Sequence, residues 1–110
     1  MDELLKNADE FLESAEENLK KERFNASVSD FFKAIVILCD YLLYREIKII
    51  PKNHNERFAL LETHFKKTYS EVSNLFKIYT KSYNLRLGKE DAIRLKNYSN
   101  ELKNFVLSKK

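Results

Sequence analysis

Apolar side chains recur at three- and four-residue steps along almost the whole chain, the spacing that gathers them on one face of an α-helix. Over residues 2–21 the stripe is Leu4, Leu5, Ala8, Phe11, Leu12, Ala15 and Leu19, with acids on the opposite face. Asn25 reads as an N-cap. The helix it opens runs to about residue 46, with Val28, Phe31, Phe32, Ile35, Leu38, Cys39, Leu42 and Leu43 on its main stripe. Val36 and Ile37 widen that stripe, which predicts a central helix buried on more than one side and able to meet a second copy of the protein.

The longest interruption is residues 47–53, where Pro51 forces Ile50 out of helical geometry and offers no backbone N–H. Asn53 and Glu56 have the spacing of a capping box, so a short third helix is expected from there to about residue 67 through Phe58, Leu61 and Phe65. A fourth begins near residue 70, with Tyr69, Val72, Phe76, Tyr79 and Tyr83 as an apolar seam among lysines. Gly88, as a left-handed C-cap, would end it near residue 86 or 87. The last helix starts at about residue 89 with Ala92, Leu95, Tyr98 or Ser99, Leu102, and Phe105 or Val106 inward, and residues 108–110 are expected to fray. The fold class that results is all-α: one domain over residues 1–110, an antiparallel up-and-down bundle of four main helices plus a short one.

Composition narrows the chemistry. A single Gly leaves nothing from which to build a phosphate-cradling loop, a dinucleotide fingerprint or a nucleophile elbow. Cys39 has no second Cys to pair with and sits in an apolar run, so it reads as a small buried hydrophobe. Met1-Asp2-Glu3 lacks the positive start of a signal peptide and no apolar run is long enough for a membrane span, so a cytoplasmic protein is expected, with no membrane partner. Charge is uneven: residues 1–22 carry eight acids and three Lys, residues 51–110 thirteen Lys or Arg and six acids. Complementary helix faces account for this, as would an anionic partner for the basic half.

His54 and His64 stand ten residues apart without the neighbours a zinc site needs, so neither a metal nor a cofactor is expected. His54, just after Pro51, is read as a brace for the third helix and His64 as a solvated helical residue. The adjacent acids Glu16 and Glu17, and Glu90 and Asp91, point to different helix faces and make poor acid–base pairs. Glu90 and Asp91 suit the positive end of a helix dipole instead. The tyrosine seam is read as core rather than as a base-stacking platform.

From Lys21 to Phe65 the run Arg23-Phe24-Asn25-Ala26, the paired Phe31-Phe32 one turn on, and the turn Pro51-Lys52-Asn53-His54 together resemble the HEPN domains of prokaryotes. The resemblance implies an up-and-down bundle, usually a homodimer, often paired with a minimal nucleotidyltransferase as toxin and antitoxin. It also implies an Arg followed four to six residues later by His in members that are metal-independent endoribonucleases. There the Arg would stabilise developing phosphate charge and the His would move a proton. The matching Arg is Arg86, with Asp30 or Ser29 in the supporting position early in the second helix. Glu90, Asp91 and Ala92 stand where the His would be. The expectation is therefore a non-catalytic, dimeric module that binds a nucleotidyltransferase-type partner and RNA; the alternative is a ribonuclease using Arg86 with a base other than His.

Overall fold

The computed structural model describes residues 2–108 and consists of five helices: α1 (Asp2–Lys20), α2 (Phe24–Ile47), α3 (His54–His64), α4 (Lys66–Lys81) and α5 (Lys89–Ser108). It is the expected all-α bundle of four main helices plus a short one. The expected fraying falls partly on residues 109–110, which lie outside the described residues. No described helix is long and apolar enough to cross a membrane.

Helix α2 is the centre. Twelve of its residues are buried, among them Phe31, Phe32, Ile35, Leu38, Leu42 and Leu43. Each of the other four helices packs on it, α1 also meeting α5 and α3 pairing with α4. The core is completed by Ala8 and Ala15 of α1, Leu61 of α3, Val72 and Leu75 of α4, and Ala92, Leu95, Leu102 and Val106 of α5. Of the paired choices on α5, Ser99 and Val106 face inward, while Tyr98 is half-buried and Phe105 is exposed. Cys39 is buried and unpaired in a disulfide, and burial raises its thiol pKa well above the ordinary value, so it packs as an inert small side chain.

Several boundaries differ from the sequence expectation. Helix α2 opens at Phe24, after Arg23, so Asn25 lies inside the first turn and is not the cap. The turn before it is a Schellman motif. Arg23 N–H donates to Asn18 carbonyl at 2.8 Å and Glu22 N–H to Leu19 carbonyl at 3.1 Å, with Glu22 left-handed at φ 59°. Helix α2 also ends on a left-handed residue, Lys48 at φ 60°, but with the single bond of an αL motif, its N–H donating to Tyr44 carbonyl at 2.9 Å. A non-glycine residue held left-handed costs about 1–2 kcal/mol. Glu22→Gly is accordingly expected to stabilise the fold by about 0.5–1 kcal/mol once the added freedom of the unfolded chain is allowed for; urea unfolding checks this.

The α3 N-terminus is as expected, Asn53 accepting from Glu56 N–H at 2.9 Å. Its C-terminus comes earlier: Phe65 alone, at φ −142° and ψ 69°, separates α3 from α4. Its N–H closes α3 on Leu61 and its carbonyl accepts Tyr69 N–H of α4, so one residue redirects the chain with both ends bonded. Helix α4 ends at Lys81, not at residue 86 or 87. Ser82 Oγ donates back to Tyr79 carbonyl at 2.6 Å, and the Tyr83 and Asn84 amides reach only three residues back, to the Thr80 and Lys81 carbonyls at 3.4 and 3.3 Å. Gly88 is not left-handed. It occupies the N-cap position of α5, its N–H held by Asp91 Oδ2 at 3.2 Å, the reverse half of a capping box.

Candidate functional site

Two places gather chemistry, both built on α2. The first is the α4–α5 loop, which carries Arg86. Asn25 holds it across the sequence: Nδ2 donates to Ser82 carbonyl at 2.8 Å and Leu85 carbonyl at 2.6 Å, and Oδ1 accepts Leu87 N–H at 2.9 Å. Both neighbours of Arg86 are thereby fixed, and Arg86 itself is exposed, as are Tyr83 at 76% and Leu85 at 53%. Tyr83 therefore leaves the buried seam of α4, because the helix stops two residues before it. Its hydroxyl lies 2.7 Å from that of Tyr79. This hydrogen bond, with partial burial, raises the Tyr79 pKa to about 12.

Asp30 is half-buried one and a half turns into α2 and ties it to α1, its Oδ2 accepting from Ser14 Oγ at 2.7 Å and Asn18 Nδ2 at 3.0 Å. Ser29 beside it is half-buried. Asp30 and Arg86 form no ion pair with each other. His64 is exposed at the end of α3.

The second place is a groove of about 410 Å³ between α1 and the α3–α4 pair. Its floor is Phe32, Val36 and Ile37 of α2, with Phe11 on one side and Tyr79 and His54 on the other. Beneath the His54 end lies a buried ion pair that sequence reasoning missed. Arg57 donates through Nε to Asp40 Oδ1 at 2.6 Å and through Nη2 to Asp40 Oδ2 at 2.9 Å, the two residues being 7% and 8% exposed. The available signal was a lone carboxylate in the apolar run 37–43 of α2.

The third arm of Arg57, Nη1, lies 2.9 Å from His54 Nδ1. A guanidinium has only donors, so Nδ1 must accept and the neutral ring carries its proton on Nε2. His54 also stacks near Phe58 and packs against Phe32 and Phe76. It braces α3 as expected. Desolvation, and then the Arg57 charge, lower its pKa below 6.5, with Asp40 opposing. A lowered native pKa means the unfolded chain takes up the proton first. This contribution to stability is present above about pH 6.5 and lost as pH falls through the lower native value. An NMR titration of His54 is expected to give a midpoint below 6.5; one above it would contradict the Arg57 contact.

Among the described residues no group of three His, Cys, Asp or Glu side chains is placed to hold a metal. The geometry is that of a small helical bundle with a pinned loop that carries Arg86 and an apolar groove over its central helix. The HEPN domain family model matches residues 1–109, and the chain belongs to that family. No curated protein and no solved structure matches it.

Proposed function

We propose that this chain is a non-catalytic HEPN module whose work is docking: a dimer that binds a nucleotidyltransferase-type protein, with RNA as a further ligand of its basic α4–α5 end. The observation that carries the reading is the fate of the segment after Arg86. Where a ribonuclease of the resembled kind would place its His, Asp91 closes the first turn of α5 on Gly88 N–H. That carboxylate has a capping role already, and a negative charge there would oppose the phosphate that Arg86 attracts.

The dimer rests on a different surface from the one the sequence suggested. Most of the apolar surface of α2 is covered within the chain, whereas Ile49 at 42%, Ile50 at 46% and Phe105 at 41% are exposed. They share one end of the bundle, where Arg45 Nη1 of α2 donates to Val106 carbonyl of α5 at 2.7 Å.

One specific observation favours the ribonuclease reading: Arg86 is exposed on a loop held in place by three hydrogen bonds. End-labelled RNA incubated in EDTA with the protein and with Arg86→Ala separates the two. The docking reading expects intact RNA in both and a light-scattering mass of two chains at tens of micromolar. Cleavage that disappears in the variant would replace docking by a nuclease with an unorthodox base, and a one-chain mass would remove the dimer.

A further inference from the structure

Of the candidate sites, the groove over α2 carries an argument about its occupant. Its nine lining residues include Lys33, His54, Arg57 and Asn53 but no Asp or Glu. The carboxylates of α2 beside it are engaged: Asp40 is buried and taken up by both Nε and Nη2 of Arg57, and Asp30, one turn before Lys33, accepts from Ser14 and Asn18. Lys33 is exposed, lies over the Phe11 ring at 5.6 Å and has no carboxylate partner among the described residues. Arg57 fixes the His54 ring so that Nε2–H is its outward polar group. Asn53 uses its Oδ1 on Glu56 N–H, which leaves its amide Nδ2 as a donor. Apart from the Tyr79 hydroxyl, which is paired with that of Tyr83, the rim is thus made of donors, with Lys33 its exposed cation, around a floor of Val36, Ile37 and Phe32.

A rim rich in donors and without a carboxylate asks for acceptors, and an apolar strip flanked by helices has the shape that receives the apolar face of another helix. A second copy does not suit it. A two-fold contact requires a self-complementary surface, and two copies of this groove face to face offer each other neither a protruding apolar helix nor a carboxylate for Lys33.

We propose that this groove docks an amphipathic helix of a different protein, one with aliphatic residues at three- and four-residue spacing flanked by Asp or Glu. Its aliphatic side chains lie on Val36 and Ile37, and its carboxylates meet Lys33 and the Nε2–H of His54. This deepens the docking reading above and rests on it, without depending on which protein the partner is.

The test is a displayed library of helical peptides with Leu fixed along one face and the flanking positions randomised, selected on the full chain. Selection is expected to enrich Asp and Glu at the flanks. The selected peptides should shift the NMR signals of Ile37 and His54, and lose at least about tenfold in affinity on Lys33→Glu. Lys33 is exposed, so that variant keeps the fold; Ile37→Glu, checked for helicity by circular dichroism, should abolish binding.

No enrichment, enrichment of Lys and Arg, or binding unaffected by both variants would overturn the proposal. So would groove signals that shift with protein concentration alone, which would mean a second copy, or a uridine oligonucleotide that displaces the peptides. Failure here leaves the docking reading open to a different surface. RNA cleavage dependent on Arg86 would sink that reading while leaving the selection result as it stands.

Discussion

Arg57→Ala is expected to lower the unfolding free energy by about 3–5 kcal/mol, which in a chain of this length lowers the thermal midpoint by roughly 12–20 °C. The reason lies in what stays behind. Asp40 sits on α2 between Cys39 and Tyr41 at 8% exposure, and its two oxygens are satisfied by the two parallel bonds from Arg57. Without the guanidinium a carboxylate is buried with neither partner nor water. His54 loses its Nδ1 donor in the same step.

Removing both charges has a different consequence. Asp40→Leu combined with Arg57→Met replaces a desolvated pair by apolar volume and is expected to recover stability to within about 1–2 kcal/mol of the wild type. Urea denaturation of the two single variants and the double variant makes the comparison. A loss below about 1 kcal/mol for Arg57→Ala would mean that solvent reaches Asp40 and that the pair is not the buried fork described above.

That pair also marks the limit of what the sequence disclosed. The inward faces of the helices were legible because burial on a helix leaves a local trace: Leu4 through Leu19 and Val28 through Leu43 repeat at helical spacing whatever they pack against. Pairing between Asp40 and Arg57 leaves no such trace, since it depends on how α3 returns across α2. Boundaries failed for a related reason. Asn25 before an apolar run suits a local cap, yet its side chain is used on a loop some sixty residues away. Gly88 was the cheapest residue for a left-handed cap, but the chain places Glu22 and Lys48 in that geometry, where hydrogen bonds back to the preceding helix offset the cost. The early end of α4 follows from the Asn25 clamp on Ser82 and Leu85, which no reading of α4 alone contains. The candidate site divides in the same way. Arg86 and Asp30 were pointed to only by the resemblance to HEPN domains; the groove, which needs four helices at once, had no pointer in the sequence.

The second large effect concerns that clamp. Asn25→Ala removes three hydrogen bonds that bridge α2 to the α4–α5 loop, each with a net contribution of about 0.5–1.5 kcal/mol, for a total of about 2–4 kcal/mol. The loss should be local before it is global. Leu87 N–H, now held at 2.9 Å, is expected to exchange with solvent much faster in the variant, while amides of the buried stretch of α2 keep their protection. Asn25→Asp sharpens the test. It retains an acceptor for Leu87 but turns a carboxylate toward the carbonyls of Ser82 and Leu85, so at neutral pH it should be no better than Ala. Arg86 stands between two anchored neighbours, so a ligand that reads its position should bind more weakly to both variants, even though Asn25 lies behind the loop. Unchanged exchange at Leu87 would assign the loop's order to the Tyr79–Tyr83 contact instead, and Tyr83→Phe would then be the variant that releases Arg86.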